Sequence, residues 1–213
     1  MNVAILDTGS GNLRSAEKAF ARAARERELS AAIRVTRLPE EVAAADRIVL
    51  PGVGAFADCR RGLLSIPGLF AALEEAVIRR GRPFLGICVG MQLMADCGRE
   101  FETTPGLGWI GGEVVALEPE ERGLKIPHMG WNEIWPQSCH PLLAGLAPGS
   151  HVYFVHSYHF LLAHSEDLLA FTDYGQRIAA VVGRGNLAGT QFHPEKSQEV
   201  GLSFIGNFLV WRP

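Results

Sequence analysis

The first hundred residues alternate short apolar runs with stretches of helical periodicity, and no other feature restricts the fold of this chain as much. Asn2 to Asp7 is an apolar run that stops at the glycine-rich Thr8-Gly9-Ser10-Gly11-Asn12, and Leu13 to Glu28 then repeats apolar and charged residues at helical spacing. Ile33 to Val35 and Arg47 to Leu50 are further β-branched runs, the second ending at Pro51-Gly52-Val53-Gly54. Leu69 to Gly81 has helical spacing and closes on a glycine, the residue that commonly stops helices. Pro83 to Ile87 is a strand of the buried type, and it runs straight into Cys88-Val89-Gly90 and a helical segment from Met91 to Gly98. The alternation predicts an α/β fold with right-handed crossovers and a mostly parallel central sheet flanked by helices on both faces.

Beyond about Gly106 the texture changes. Trp109–Glu118, Leu124–Trp135, His151–Tyr158, Leu168–Tyr174, Ile178–Arg184 and Leu187–Glu195 read as strands in succession, separated by Pro, Gly and polar clusters. They predict antiparallel additions to the sheet in the C-terminal half. Ser197 to Trp211 returns to helical spacing. With 213 residues and no linker, repeat or low-complexity tract, one domain over 1–213 is expected.

Composition removes several function classes. Hydrophobic residues at 47% and charged residues at 20% exclude disordered, collagen-like and coiled-coil chains. A net charge of −3 supplies no basic field for nucleic acid. No apolar run approaches the ~18 residues of a bilayer span, and the N-terminus lacks the charged and apolar regions of a signal peptide. A cytoplasmic protein with no membrane association is expected. Cys59, Cys88, Cys97 and Cys139 form no C-x-x-C pair, so neither a zinc ribbon nor a disulfide framework is indicated.

Cys88 stands apart from the other cysteines. It lies in Gly86-Ile87-Cys88-Val89-Gly90 between a strand and a helical segment, the context of a nucleophile elbow. Flanking glycines permit the sharp turn that lifts a side chain above the sheet edge, and a helix N-terminus with a neighbouring imidazolium favours the reactive thiolate. The best placed base is His193 in Gln191-Phe192-His193-Pro194-Glu195. Pro194 biases His193 to an extended conformation, which predicts Glu195, two residues on, to project to the same side and orient the imidazole. Backbone donors for a carbonyl oxygen's developing charge are available at Val89 and in the Pro51–Gly54 loop. His151 and His156, five apart, face opposite sides of a strand and give no metal site. The first glycine loop has Arg14 where a dinucleotide fingerprint needs glycine, and no phosphate-binding P-loop is present, so no nucleotide cofactor is expected.

Pro51-Gly52-Val53-Gly54-Ala55-Phe56, Gly86–Gln92 and Gln191–Ser197, in this order, resemble the triad (class I) glutamine amidotransferase domains, with their flavodoxin-like sheet. Ala4–Phe20, Lys125–Ile134 and Tyr153–Phe160 resemble one family within that class, the glutaminase subunits of imidazole glycerol phosphate synthase in histidine biosynthesis. The resemblance runs from residue 2 to about 210, departing at Thr8, where an aromatic is common, and at Val89, where leucine is common. It implies Cys88 as nucleophile, His193 as base and then acid, and Glu195 as the orienting carboxylate. It implies backbone oxyanion donors at Gly52, Val53 and Val89, and glutamine contacts at Gly54, Gln92, Ser157 and Tyr158. It further implies that glutamine is hydrolysed through a cysteine thioester with no metal or organic cofactor. The ammonia passes to the heterodimer partner, a (β/α)₈ cyclase subunit, through an interface including Asn12, Pro127, Met129, Trp131 and Lys196. Activity is expected to be low until the partner, carrying its nucleotide substrate, moves the Pro51–Gly54 backbone. Taken alone, Met129 and Trp131 read as core residues. The alternatives are a glutaminase of pyridoxal phosphate or anthranilate synthesis, a cysteine peptidase on a related scaffold, and a catalytically silent interaction subunit.

Overall fold

A computed structural model describes residues 1–9, 11–119 and 123–213; Ser10 of the first glycine loop lies outside the described residues. In the first half, β1 (Asn2–Leu6) leads to α1 (Leu13–Glu26), and β2 (Ala32–Thr36) to α2 (Pro39–Ala44). Next, β3 (Arg47–Gly52) precedes α3 (Phe56–Ser65) and α4 (Leu69–Glu74), and β4 (Phe84–Cys88) enters the four-residue α5 (Val89–Gln92). The strands that follow are β5 (Cys97–Gly98), β6 (Thr104–Pro105), β7 (Gly112–Ala116), β8 (His128–Pro136), β9 (Ser150–His156), β10 (Tyr158–Leu162), β11 (Leu168–Asp173), β12 (Arg177–Arg184) and β13 (Leu187–Thr190). The chain then closes with α6 (Gln198–Val210).

One sheet takes the order β2-β1-β3-β4-β13-β12-β11-β8-β9. The first five strands are mutually parallel, in the flavodoxin-like order, and β3 and β4 are buried at every position, as a sheet covered on both faces demands. α1 buries Ala16, Phe20, Ala23 and Ala24, one stripe at helical spacing, and Phe20 meets Phe208 of α6 edge to face at 6.2 Å between ring centres. From β12 outward the ladder is antiparallel, as the strand-rich second half predicts, but β13 of that half departs from the expectation and runs parallel beside β4, completing the parallel core. Not all of those strands join it, however: β10, β7, β5 and β6 form a separate four-stranded sheet, with β10 packed against β12.

The structure adds to some local expectations and changes one. α2 and α3 are helices that the apolar spacing did not reveal. The helix from Leu69 continues beyond α4 through a π-helical turn, Glu75–Arg79, before Gly81 ends it with φ +65°. Met91 to Gly98 is not one helix, since α5 stops at Gln92 and Cys97–Gly98 pairs with β6 and β7. The carbonyls that a longer helix would use are taken from outside. Leu93 O accepts from Leu107 N, Met94 O from Trp109 and Ile110 N, and Ala95 O from Gly108 N, all within 3.0 Å. Tertiary hydrogen bonds satisfy this segment better than another helical turn.

Candidate active site

Three neighbouring parallel strands bring the candidate residues together at their carboxyl ends, where open α/β sheets bind ligands. Gly52 at the end of β3 lies in register with Cys88 at the end of β4, and Thr190 at the end of β13 lies beside Ile87, three residues before His193. Cys88 has φ +55° and ψ −112°, a conformation side chains rarely adopt, so the elbow is strained as its glycines foretell. The tight turn depends on close backbone approach. A Cβ on Gly86 would sit 2.5 Å from the Gly90 carbonyl oxygen, and a Cβ on Gly90 would collide with the Leu50 carbonyl. Because α5 has only four residues, its dipole adds less support for a thiolate than a long helix would.

His193 Nδ1 is 2.8 Å from Glu195 Oε1, and both side chains are almost wholly buried, at 3% and 4% exposure. The pairing is as expected, but the backbone reason differs. His193 is extended, whereas Pro194–Lys196 form a 3₁₀ turn that brings the carboxylate back to the ring. Ser197 holds this turn: its hydroxyl donates to His193 O at 2.6 Å and accepts from Tyr153 N at 3.0 Å. Burial opposes charge on the His193 ring, yet the Cys88 sulfur as its anion and the Glu195 carboxylate together outweigh it and raise the pKa from 6.5 to about 10. Nε2 closes no hydrogen bond among the described residues, so the ring offers a free nitrogen to the space it shares with sulfur.

That space is a cavity of about 290 Å³ lined by Cys88, His193 and ten other residues. Val53, Gly54, Val89, Gln92, Ser157 and Tyr158 all reach it, so most expected oxyanion and glutamine contacts converge. Gly52 lies behind the wall, where a Cβ would be 2.7 Å from Gly90 N and 2.9 Å from Cys59 Sγ. Pro127 lines the cavity itself. Met129 and Trp131 are 61% and 47% exposed, which overturns a core role. Asn12 is exposed ahead of α1, and exposed Lys196 places Nζ 5.6 Å above the Tyr153 ring.

Two ionisable cavity residues were given no role in the site from the sequence. Glu100, in the loop after β5, supplies a carboxylate at the cavity and accepts from Phe56 N, at the start of α3, at 2.8 Å. His156 Nδ1 lies 3.0 Å from Tyr158 O, a pure acceptor, so it carries the proton. His156 Nε2 therefore accepts from His128 Nδ1 at 2.9 Å, and His128 Nε2 accepts from Asn132 Nδ2 at 3.2 Å. Burial lowers His128 to about 4 and, with the charge of His128, His156 to about 3, so the pair is neutral. Among the described residues no cluster of three or more His, Cys, Asp or Glu side chains is placed to hold a metal ion.

Comparison with known proteins gives this constellation a family. The model of the class-I glutamine amidotransferases matches residues 5–210. Imidazole glycerol phosphate synthase subunit HisH of Rhodospirillum rubrum is 60% identical over the whole of both chains, and HisH of Brucella melitensis 57%. The chain belongs to the HisH family of class-I glutamine amidotransferases. Solved structures agree on the fold. One described as a glutamine amidotransferase superposes with a TM-score of 0.70 at 18% identity, covering 98% of this chain and 99% of its own. A glutamine amidotransferase from Thermotoga maritima superposes with a TM-score of 0.62, also at 18% identity, covering 92% of this chain and 76% of its own. In this HisH-family chain no helix among the described residues is long and apolar enough to cross a membrane.

Proposed function

We propose that Cys88, His193 and Glu195 hydrolyse glutamine, and that the ammonia released is passed to a (β/α)₈ cyclase subunit bound as a heterodimer partner. As a HisH-family member the chain is the glutaminase subunit of an imidazole glycerol phosphate synthase, an enzyme of histidine biosynthesis. The carrying observation is His193: buried, fixed at Nδ1 by Glu195, and with Nε2 unpaired in the cavity that also holds the thiol at a strained elbow.

The ring is the cation of the site at neutral pH and stabilises negative charge on sulfur. Sulfur attacks the side-chain amide carbon of glutamine, and the carbonyl oxygen takes up the charge facing the backbone N–H groups of Val89 and Val53. His193 gives its proton to the departing nitrogen and ammonia leaves. His193 then takes a proton from water, which attacks the glutamyl thioester and returns the thiol. Gln92, Ser157 and Tyr158 hold the substrate, and the Glu100 carboxylate suits its α-ammonium group. Free ammonia in neutral water is largely protonated and loses its nucleophilicity, which favours direct delivery across an interface. Exposed Met129 and Trp131, on the strand that continues from cavity-lining Pro127, form that interface with Asn12 and Lys196. The protein works in the cytoplasm.

Ammonia release from glutamine, measured with and without the cyclase and its ribonucleotide substrate, tests reaction and coupling together. Glutamine turnover rises when both are present, and Cys88→Ala abolishes it while partner binding persists. Normal turnover by Cys88→Ala overturns the mechanism.

A further inference from the structure

Gln191, two residues before His193, is fully buried beside the reacting sulfur. Its Nε2 lies 3.7 Å from Cys88 Sγ. Which end of the amide faces sulfur follows from its neighbours. Gln92 Nε2 is 2.9 Å from the Tyr158 carbonyl, which only accepts, so the Gln92 nitrogen must point there. The same Gln92 nitrogen is 3.1 Å from Gln191 Oε1, so Gln191 presents its oxygen to Gln92 and its NH₂ group to sulfur. The orientation is thus enforced by a backbone carbonyl two links away.

Besides the His193 ring, two polar groups near the sulfur act in opposite senses. Val155 O, 3.9 Å away, accepts from the S–H and favours the neutral thiol; the Gln191 amide donates and favours the thiolate. The ionisable groups around this sulfur are His193 beyond β13, His156 at the end of β9, Tyr158 at the start of β10 and Glu100 after β5. Only the His193 ring among them is positively charged at neutral pH, and it must surrender its proton to the leaving nitrogen in the middle of the reaction. A donor that does not titrate would stabilise the sulfur anion whenever it is free, before attack and again as the thioester is cleaved.

We propose that Gln191 is a second stabiliser of the Cys88 thiolate: its side-chain N–H, oriented through Gln92 by Tyr158 O, holds the sulfur in its attacking position and lowers the cost of its charge. Gln92 then has two duties, since the amide that lines the substrate cavity also aims the donor. The inference rests on Cys88 being the nucleophile.

The test uses the full-length chain. Alkylation of Cys88 by iodoacetamide is followed across pH in the native protein and in Gln191→Met, which keeps length and loses the donor, with Cys88→Ala as the blank for the other three cysteines. One neutral hydrogen bond predicts alkylation at pH 7 slowed about 3- to 10-fold and a pH midpoint raised by about half to one unit, with kcat for glutamine lowered more than KM is raised. A purely structural role for Gln191 leaves the midpoint in place, and superimposable pH profiles overturn the proposal. Should Gln191→Met fail to fold, the readout is the ¹⁵N resonance of the Gln191 side chain in the otherwise native protein. It moves with the titration of Cys88 and not in Cys88→Ala, and a resonance that ignores the thiol overturns the proposal equally. Glutamine turnover surviving in Cys88→Ala defeats the parent mechanism instead, so the two failures are distinguishable.

Discussion

His193 Nδ1 and Glu195 Oε1 meet at 2.8 Å in a site almost closed to solvent, two residues apart along the chain yet joined only because a 3₁₀ turn folds one back on the other. The carboxylate fixes the tautomer and leaves Nε2 for chemistry. Glu195→Gln keeps the shape and removes the charge, so glutamine turnover in the assembled enzyme is expected to fall about 100- to 10,000-fold with little change in KM. Steady-state kinetics check this.

The same imidazole, whose charge is favoured by the Cys88 sulfur and by Glu195, makes stability depend on alkaline pH. His193 in the native state holds its proton up to about pH 10 against an ordinary 6.5. The native state therefore binds more protons than the unfolded chain between those values. The stability this contributes is complete below 6.5 and is lost as pH rises through about 10. Urea unfolding from pH 7 to pH 10 should show a shallower decline in Glu195→Gln than in the native protein.

Acid works in the opposite sense through His128 and His156. Their native pKa values, about 4 and about 3, lie below the ordinary 6.5, so the unfolded chain binds more protons over that window. The neutral pair contributes stability above pH 6.5, and this is lost as pH falls toward 4 and then 3. Unfolding midpoints should drop steadily over that range, and less in His128→Gln, which removes one titrating group from the pair.

Gly90→Ala tests the elbow's close approach. The added methyl meets the Leu50 carbonyl of a neighbouring central strand, which has nowhere to go. A loss of about 3 kcal/mol or more is expected, at or beyond the upper end of ordinary overpacking, and thermal or urea unfolding measures it.

Trp131→Ala should weaken binding of the cyclase partner at least ~10-fold and lower the stability of the isolated chain by only about 1 kcal/mol, because the indole is half exposed and keeps one edge-to-face contact with Tyr153. Titration calorimetry and urea unfolding report the two quantities separately.

Cys88 was legible because a strand, two glycines and a turn leave few other uses for a cysteine between them, and the geometry at φ +55° agrees. His193 and Glu195 were legible from their proline, though the turn proved 3₁₀ rather than extended. Glu100 and Gln191 carried no such mark: Glu100 reaches Phe56 across 44 residues and Gln191 reaches Cys88 across 103, with no periodicity linking either pair. The His128–His156 bond likewise depends on β8 and β9 pairing in a register that sets the two residues opposite each other.

The order of residues by itself determined the alternation of strands and helices, the glycine-flanked elbow and the nearness of His193 to Glu195. These are local matters, governed by backbone sterics and spacing within a few residues. Tertiary structure alone decided that α5 stops after one turn, that four strands leave the main sheet, and that Gln92 aims Gln191 at sulfur. Each of those outcomes hangs on a buried hydrogen-bonding group finding its partner, and the partner comes from wherever the folded chain brings one near.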